Sequence, residues 1–365
     1  MSININQAAD LLMATLGKFE KDRFQLTLTH QTYEVLNQWF KSDKVVYDGG
    51  DRVEWYVQLD DSQNASQTRL YDTDNVNVPQ VMRQAYANWT HAKTSWAFDV
   101  RELAMNKGNS TRIYNLLRSR VAASYKDMAD KLEELAWQTP TGATDDLNPT
   151  GIFGYLCQGT DGQTGDWDGY SPNYWTTSSS TFNSGNLACS STSNTRWANY
   201  YADHDGNLDD SLLKIMRRAI RKTKFQTPVV AGKALDPESG FSKFRLYTTS
   251  AVLDEWEELA TKSDDRLGAD LGKYAGAVTF KNMPLIWVDS LDTAKTYVYG
   301  KNPIIGVNHN HFYPIVLADN NFRITKPTPK SDAHNVLQGF VDVTYQYVCN
   351  NRRTGGFLVS EYQGT

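Results

Sequence analysis

The longest regular pattern of hydrophobic positions in the chain lies between Asn109 and Trp137. Apolar side chains recur there at every third or fourth residue, at Ile113, Leu117, Val121, Tyr125, Met128, Leu132 and Leu135. This spacing places them on one side of an α-helix and leaves the opposite side charged. Pro140 and Gly142 favour its end. The pattern predicts a helix at 109–138 that is roughly 42 Å long, far above the usual length of about 11 to 12 residues.

Upstream of this helix, the pattern changes to the two-residue period of a β-strand. Polar residues alternate there with Val53, Trp55, Val57 and Leu59. A polar tip at 60–67 and a returning strand at 68–78 complete a predicted hairpin at 43–78. Because an isolated hairpin is marginally stable in water, its apolar side is expected to lie on a neighbouring copy, so that Trp55→Asp would abolish assembly and spare the monomer. The alternative is that it folds back on its own domain.

The remaining segments alternate between helical and extended patterns and predict an α+β protein. Residues 1–42 favour a mainly helical arm, with apolar sets at Ala8, Leu11, Leu12 and Leu16 and at Tyr33, Leu36 and Phe40 beside Asn37. A Gly-, Ser- and aromatic-rich stretch at 159–207 predicts surface strands and loops, and a helix follows at 207–224. Strands at 227–231 and 244–249, a helix from Ser250 and further strands after 301 predict a sheet that supports the long helix.

The composition excludes several classes of protein. The 365 residues carry 37 basic and 42 acidic side chains, a net charge of −5, so any contact with nucleic acid should be weak and general. No signal peptide or membrane-spanning run is visible, which favours a soluble protein made inside the cell. The odd number of cysteines, Cys157, Cys189 and Cys349, predicts free thiols.

Candidate catalytic and metal-binding residues are few. The sequence lacks a phosphate loop, a nucleophile elbow and histidines at metal-ligand helical spacing. His309 and His311 could bind a metal with Asp319, but turn histidines are more often simply polar. Asp203, Asp205 and Asn207 imitate a calcium loop whose glycine and glutamate are missing. We therefore expect no enzyme, no cofactor and no metal.

Two side-chain clusters favour contact between subunits. Seven aromatic residues could form a sugar-binding platform, although subunit interfaces are also rich in Trp and Tyr: Trp167, Tyr170, Tyr174, Trp175, Trp197, Tyr200 and Tyr201. The basic residues from Arg217 to Lys224 could touch nucleic acid, but a solvated helix end or a set of intersubunit salt bridges is the simpler interpretation.

The order of these parts resembles the major capsid proteins of tailed bacteriophages, which have the Hong Kong ninety-seven-like fold. The resemblance extends over nearly the whole chain. Five short stretches carry it: Gly49-Gly50 with Val53-Glu54-Trp55, Glu102–Gly108, Gly151-Ile152, Arg196–Asn199 and Asn351–Gly356. It implies an α+β capsid fold with an N-terminal arm (1–42), an extended β-hairpin loop (43–78), a peripheral domain (79–150) with its spine helix (109–138), an axial domain (151–300) and a return to the peripheral sheet (301–365).

The resemblance also implies a structural function. Copies would assemble as hexamers and pentamers into an icosahedral shell around double-stranded DNA, in the cytoplasm of a host bacterium. The expected partners are other copies, a portal, a separate scaffolding protein, a possible decoration protein and weakly held DNA, with no membrane. Subunit contacts are expected at Val53, Trp55, Val57, Leu59, Trp197, Arg217, Arg218 and Arg221.

One departure limits what carries over, because some members crosslink their shells through a lysine in the extended loop. No lysine lies between Val45 and Ala92, so the shell should be non-covalent. An encapsulin-like compartment, a carbohydrate-binding or carbohydrate-active protein using residues 160–205, and a tail-tube or decoration protein remain as alternatives.

Overall fold

The computed structural model describes residues 33–61, 64–70, 78, 80–105, 110–159, 165–225, 243–262, 279–281, 283–292 and 295–363. These residues form two compact units. Unit 1 falls within Met1–Asp51, Trp89–Ala136 and Pro314–Gln346, and unit 2 within Arg52–Asn88, Trp137–Tyr313 and Tyr347–Thr365. The predicted apolar set from Ala8 to Leu16, the side chains of Ile113 and Leu117, and the predicted strand at 227–231 lie outside the described residues.

The elements up to the middle of the chain are α1 (Glu34–Gln38), a π-helical turn (Trp39–Asp43), β1 (Val45–Tyr47), β2 (Arg52–Gln58), β3 (Met82–Asn88), β4 (Thr90–Asp99), α2 (Val100–Met105), α3 (Ser110–Trp137), β5 (Asp166–Gly169), β6 (Asn199–Asp203) and α4 (Asp210–Thr223). Those that follow are β7 (Phe244–Thr248), α5 (Ser250–Lys262), β8 (Thr279–Phe280), β9 (Met283–Trp287), α6 (Thr296–Tyr299), β10 (Lys301–Asn308), β11 (Phe312–Leu317), β12 (Arg323–Ile324), β13 (Thr328–Lys330), β14 (Ala333–Cys349), α7 (Arg352–Gly355) and β15 (Gly356–Glu361). No helix in the described part of the chain is both long and apolar enough to span a bilayer.

Helix α3 confirms the predicted long helix and lies with one side on a sheet. Val121 and Tyr125 pack with Trp96 and Phe98 of β4 and with Leu337 and Val341 of β14. Further along the same stripe, Met128, Leu132 and Leu135 are buried, whereas Lys126, Asp130 and Glu134 are exposed. Complete burial of a leucine such as Leu132 contributes about 2 kcal/mol, so the stripe accounts for the attachment of the helix.

The sheet of unit 1 is built around β14. Strand β4 pairs with it in antiparallel register from Thr90 opposite Tyr345 to Asp99 opposite Val336. Strand β14 also pairs with β11, which in turn pairs in parallel with β1, and β12 and β13 pair with β14 as well. The prediction that strands near the C-terminus support the long helix is therefore confirmed.

The end of the arm is tied to α3 by a buried carboxylate. The backbone N–H of Leu36 donates to Glu133 Oε2 at 2.9 Å, and that of Val35 donates to Glu133 Oε1 at 3.4 Å. Both amides belong to the first turn of α1, where no carbonyl within the helix is available to accept from them. Phe40 packs on the rings of Phe322 and Tyr345, so polar and apolar contacts hold the same segment.

Replacement of Glu133 by alanine should release this segment from α3. Two buried amide protons would lose a charged acceptor, and we expect the free energy of unfolding to fall by about 2 kcal/mol. Urea denaturation of the unassembled chain measures this loss. The exposed neighbour Glu134, which forms a surface ion pair with Lys131 at 3.0 Å, supplies the control, since Glu134→Ala should change stability by less than about 0.5 kcal/mol. Equal losses for the two variants would contradict the assignment.

Unit 2 contains a seven-stranded sheet with the order β5-β6-β15-β10-β7-β9-β8. Helix α4 packs on β6 and β15, and α5 packs on β9 and β10. Leu212, Met216 and Trp256 of the two helices meet in one core with side chains of the sheet, so both helices cover the same face. Helix α4 begins at Asp210, three residues after the predicted start at 207, because the Asp209 carboxylate caps it by accepting from the backbone N–H groups of Ser211 at 2.8 Å and Leu212 at 3.2 Å.

The structure corrects the predicted return strand of the hairpin. Strand β2 pairs with β3 at 82–88, and the described residues of 68–78 form no strand. The sequence of β3 gives a weak signal because its inward side has no large apolar residue: Ala87 lies opposite Val53, Ala85 opposite Trp55 and Arg83 opposite Val57. The loop between the strands is therefore longer than predicted, and the Leu59 N–H closes it by donating to the Val81 carbonyl at 3.0 Å.

The predicted boundary at residue 301 is also wrong. Strand β10 pairs with β7 and β15 inside the sheet of unit 2, and the chain enters unit 1 only at Pro314. From Pro303 to Asn308 every residue of β10 is buried, as expected for a central strand covered on both faces. The chain then leaves unit 1 again within β14, so that β15 belongs to unit 2.

Candidate assembly site: the hairpin and its supporting junction

The hairpin formed by β2 and β3 has one buried and one exposed side. Val53, Trp55, Val57 and Leu59 are all buried within the single chain, and Trp55 is only 6% exposed. Its indole ring lies against Gly185, where a Cβ atom would come within 3.0 Å of Trp55 Cζ2 and 3.2 Å of Ala85 Cβ. Gly185 also has a φ of +61°, which favours glycine. The alternative interpretation, in which the apolar side folds back on its own domain, describes this packing.

The other side of the hairpin faces solvent and combines charged with apolar side chains. Tyr56 is 66% exposed on β2, and Met82 at the start of β3 is 51% exposed. In the loop between the strands, Leu70 and Val78 are 87% and 91% exposed. These four are half of the eight large apolar side chains that are exposed in the described residues. Exposed apolar side chains that are concentrated in one element mark interaction sites, so the outer side of the hairpin, with Tyr56 and Met82, is the candidate assembly surface.

Polar contacts fix the shape of the exposed side. Glu54 accepts from Arg52 Nε at 2.6 Å and from Gln84 Nε2 at 2.6 Å, which joins the two strands. The Arg52 guanidinium lies 4.1 Å from the centre of the Tyr86 ring, a cation–π distance. Each of these exposed contacts contributes little by itself, but together they hold Tyr56 within an ordered surface.

The segment from Ser184 to Trp197 packs against the buried side of the hairpin. The indole Nε1 of Trp197 donates to the Ser184 carbonyl at 3.0 Å, and the Ser184 hydroxyl donates to the Gly154 carbonyl. Arg196 forms an ion pair of 2.6 Å with Asp61, just beyond β2. Trp197, predicted as a subunit contact, is therefore buried in its own chain beside the hairpin support.

A fully buried arginine, Arg352, lies at the centre of this support. Its guanidinium donates to the carbonyl oxygens of Tyr155 at 2.6 Å, Tyr170 at 3.0 Å and Gly169 at 3.0 Å, and to Asn199 Oδ1 at 3.0 Å. Arg352 Cζ also lies 5.8 Å from the centre of the Trp197 ring. We call Arg352 with these hydrogen-bond acceptors the arginine junction. One planar guanidinium can donate five hydrogen bonds. The arginine junction therefore connects three of the stretches that carry the resemblance, near residues 151, 196 and 351.

The guanidinium of Arg352 is surrounded by neutral acceptors, since it donates to four neutral oxygen atoms and, at 3.4 Å, to the Sγ atom of Cys157. Arginine remains charged in proteins, so carbonyl dipoles replace the water that the buried cation loses. Burial raises the pKa of the nearby Cys157 thiol to about 11 and that of Cys349 to about 12, which keeps both thiols neutral at pH 7. All three cysteines are free and buried, as predicted.

The predicted site residues thus separate into two groups. Val53, Trp55, Val57, Leu59 and Trp197 are covered within the chain, so an interface of the hairpin with a neighbour must use its exposed side. On α4, Arg218 and Arg221 are exposed and Arg217 is half-buried, so their role as subunit contacts stays a prediction. Trp197, Tyr200 and Tyr201 of the possible sugar-binding platform lie in the interior, so their rings are not available to stack on a sugar.

The histidine candidates serve the fold. His309 Nε2 lies 2.8 Å from Tyr247 Oη in a buried pair, and His311 contacts Asn350 Oδ1 at 2.8 Å and Thr354 Oγ1 at 2.9 Å. Both ring nitrogens of His311 thus have protein partners. Among the residues that the structure describes, no group of three His, Cys, Asp or Glu side chains is placed to hold a metal ion.

Burial of His309 predicts a loss of stability in mild acid. Its burial, together with the positive charges of Arg245 and Lys243, lowers the pKa from 6.5 to about 3. Below pH 6.5 the imidazole of His309 is therefore protonated in the unfolded chain but stays neutral in the folded chain. The stability that neutral His309 contributes is present above pH 6.5 and is lost as the pH falls towards 3. From pH 7 to 5.5, the free energy of unfolding of the wild type should fall by about 1 kcal/mol more than that of His309→Gln. Parallel pH dependences in urea denaturation would contradict this assignment.

Sequence reasoning missed Arg352 itself. The stretch Asn351–Gly356 was singled out as a motif, but nothing local distinguishes Arg352 from Arg353. The difference comes from distant acceptors, since Arg353 instead lies 4.5 Å from the centre of the half-buried Trp167 ring and donates to the Thr195 carbonyl at 3.4 Å. Asn199, in the stretch Arg196–Asn199, was the one local indication of a buried polar partner, because a buried side-chain amide requires hydrogen-bond partners.

Comparisons with known proteins bear on the fold. No protein-family model and none of the curated proteins matches the chain. Among solved structures, the capsid asymmetric unit of cyanophage A-1(L) is similar at 13% identity and a TM-score of 0.55, over 90% of this chain and 93% of that chain. The capsid of a native GTA particle is similar at 11% identity and a TM-score of 0.53, over 91% of both chains. The chain therefore has the α+β, Hong Kong ninety-seven-like fold of capsid subunits.

Proposed function

We propose that the chain is the major capsid protein of a tailed bacteriophage, which assembles as hexamers and pentamers into an icosahedral shell around double-stranded DNA. The capsid fold supports this proposal, and one observation of this chain carries it. Tyr56, Leu70, Val78 and Met82 concentrate exposed apolar surface on a single hairpin that the rest of the chain holds in place. A surface of this kind is costly in a monomer and is relieved by association.

The hairpin and its junction suggest how assembly proceeds. The buried side of the hairpin is fixed by Trp55, Gly185 and the arginine junction, so its exposed side is ordered before a neighbour binds. Preorganisation lowers the conformational entropy that is lost on binding. Each copy then makes modest contacts with several neighbours, and closure of the shell makes their sum large although no single pair is tight.

The remaining partners follow from the same proposal. A net charge of −5 supports only weak and general contact with packaged DNA. A portal, a separate scaffolding protein and a decoration protein are proposed as further partners, and assembly is proposed in the cytoplasm of the host. The role is structural rather than enzymatic, and the shell is non-covalent, since no lysine lies between Val45 and Ala92.

Sedimentation velocity of the purified chain, with and without a co-expressed scaffolding protein, tests the proposal. We expect a rapidly sedimenting species that negative-stain images resolve as closed particles of uniform size. A chain that sediments only as a monomer or small oligomer under both conditions would overturn the proposed function. An encapsulin-like compartment would instead form particles that enclose a protein cargo, which gel electrophoresis of particles purified from the native host would show.

A further inference from the structure

The exposed side of α4 is strongly basic. Lys214, Arg218, Arg221 and Lys222 are exposed, while Leu212, Met216 and Ile220 turn towards the sheet. The acidic residues of this region, Asp209 and Asp210, lie at the start of the helix, where Asp209 caps the first turn. Basic residues in the last turn of a helix interact favourably with the helix dipole. The basic row of α4 starts at Lys214, well before the last turn, so the dipole alone does not account for it.

The exposed side of α5, by contrast with that of α4, is acidic. Asp254, Glu255, Glu257 and Glu258 are exposed, and Val252 and Trp256 are buried against the sheet. Like charges along one helix destabilise it slightly, and a neighbouring surface of opposite charge relieves that cost.

An exposed tryptophan beside α5 points independently to a cationic partner. Trp287, the last residue of β9, is 47% exposed. Its Nε1 donates to Asp292 Oδ2 at 2.8 Å, and Asp292 Oδ1 accepts from the backbone N–H of Ser250 at 2.9 Å. One carboxylate thus fixes the indole ring beside the first residue of α5. Tryptophan is the side chain whose ring face binds arginine and lysine most strongly.

The sheet places the two charged helices on opposite halves of one face. Helix α4 covers β6 and β15 towards the β5 edge, and α5 covers β9 and β10 towards the β8 edge. A second copy set beside the first in the same orientation brings its basic half towards the acidic half of the first. Such a head-to-tail contact closes into a ring when the rotation between copies divides a full turn.

We propose that the basic side of α4 binds the acidic side of α5 and the Trp287 ring of a neighbouring copy, and that this contact closes each ring of subunits. The inference rests on the proposed shell function and names the partner surfaces within a ring. In this arrangement Arg221 and Lys222 face Asp254 and Glu255, and an arginine of α4 lies over Trp287. Complementary charge would set the direction of the ring more than its overall affinity.

Charge reversal tests the contact. The variant Arg221→Glu/Lys222→Glu has two acidic sides, and Asp254→Lys/Glu255→Lys has two basic sides, so each alone should lose at least about tenfold in assembled rings and shells. The charge-conserving variant Arg221→Lys/Lys222→Arg is the matched control and should assemble as the wild type does. Urea denaturation of each variant separates a lost contact from a lost fold. The variant that carries all four reversals restores opposite charges and should recover assembly.

A mixture of the two reversed variants gives a sharper outcome. Each acidic side then meets a basic side only when the two variants alternate around the ring. Alternation is complete in a ring of six and impossible in a ring of five, so the mixture should form hexamers and open sheets or tubes but few closed shells. Trp287→Ala should reduce assembly about fivefold, and Trp287→Phe should reduce it less.

The outcomes distinguish this contact from the shell function. If the wild type forms shells and both reversed variants, correctly folded, assemble equally well, the contact is overturned while the shell function stands. If the four-site variant fails where the wild type assembles, the pairing of α4 with α5 is also wrong. If the wild type never assembles, the proposed function fails and the contact fails with it.

Discussion

Replacement of Arg352 by methionine is expected to lower the free energy of unfolding by about 4 kcal/mol, enough to unfold much of the chain at 37 °C. The carbonyl oxygens of Tyr155, Gly169 and Tyr170 and the Asn199 Oδ1 atom each lose a hydrogen bond from the guanidinium, although Asn199 Oδ1 still accepts from the backbone N–H of Cys157 at 3.1 Å. Three of these belong to the backbone, so no second substitution can remove them. Removal of a buried cation recovers part of its solvation energy, but the unpaired acceptors outweigh that gain.

Two further variants identify the source of this effect. Arg352→Lys keeps the charge but cannot reach four acceptors arranged around a planar fork, and it should lose nearly as much stability as the methionine variant. Arg353→Met, one residue along the chain, loses one hydrogen bond of 3.4 Å and the Trp167 contact and should cost about 1 kcal/mol. Urea denaturation followed by tryptophan fluorescence measures all three. Wild-type stability of Arg352→Lys would mean that charge alone matters, which contradicts the account of the junction.

Substitution of Tyr56 by aspartate should abolish particles and leave the chain folded. Tyr56 is 66% exposed on the outer side of β2, so a charge there costs the monomer little, whereas the same charge in an interface between copies would be buried without a partner. We expect a loss of at least about 100-fold in the yield of particles, with an unchanged unfolding transition. Sedimentation velocity and urea denaturation of the same preparation give both quantities.

The adjacent residue supplies the contrast. Trp55 points to the buried side and touches the Gly185 segment, so Trp55→Asp should cost about 4 kcal/mol and lose particles because the hairpin detaches from its own chain. This replaces the prediction from sequence that Trp55→Asp spares the monomer. Normal particles from Tyr56→Asp would show that the outer side of the hairpin faces solvent in the assembly.

The sequence predicted elements whose pattern is continuous and local. Helix α3 was placed to within a residue because its hydrophobic period runs without a break to Trp137 and Pro140 follows. Strands β7 and β11 and helix α4 were found for the same reason, since each carries an apolar run or period between clear signals of its ends. Propensity and tertiary packing agree in these segments, so a local pattern suffices.

Features that depend on distant partners were missed. Strand β3 has alanines opposite Val53 and Trp55, so its inward side lacks the large apolar residues by which strands are recognised. The burial of Trp55 depends on a glycine at position 185 with a positive φ, and the burial of Arg352 depends on carbonyls at 155, 169 and 170. No pattern within a window of ten residues contains these relations.

A reconstruction of the assembled particle by electron cryomicroscopy tests the central claim most directly. The account predicts a closed icosahedral shell in which the outer side of the hairpin, with Tyr56 and Met82, is buried against a second copy, while Trp55 remains packed on Gly185 of its own chain. A shell in which Tyr56 and Met82 face solvent, or a preparation without any closed shell, would contradict it.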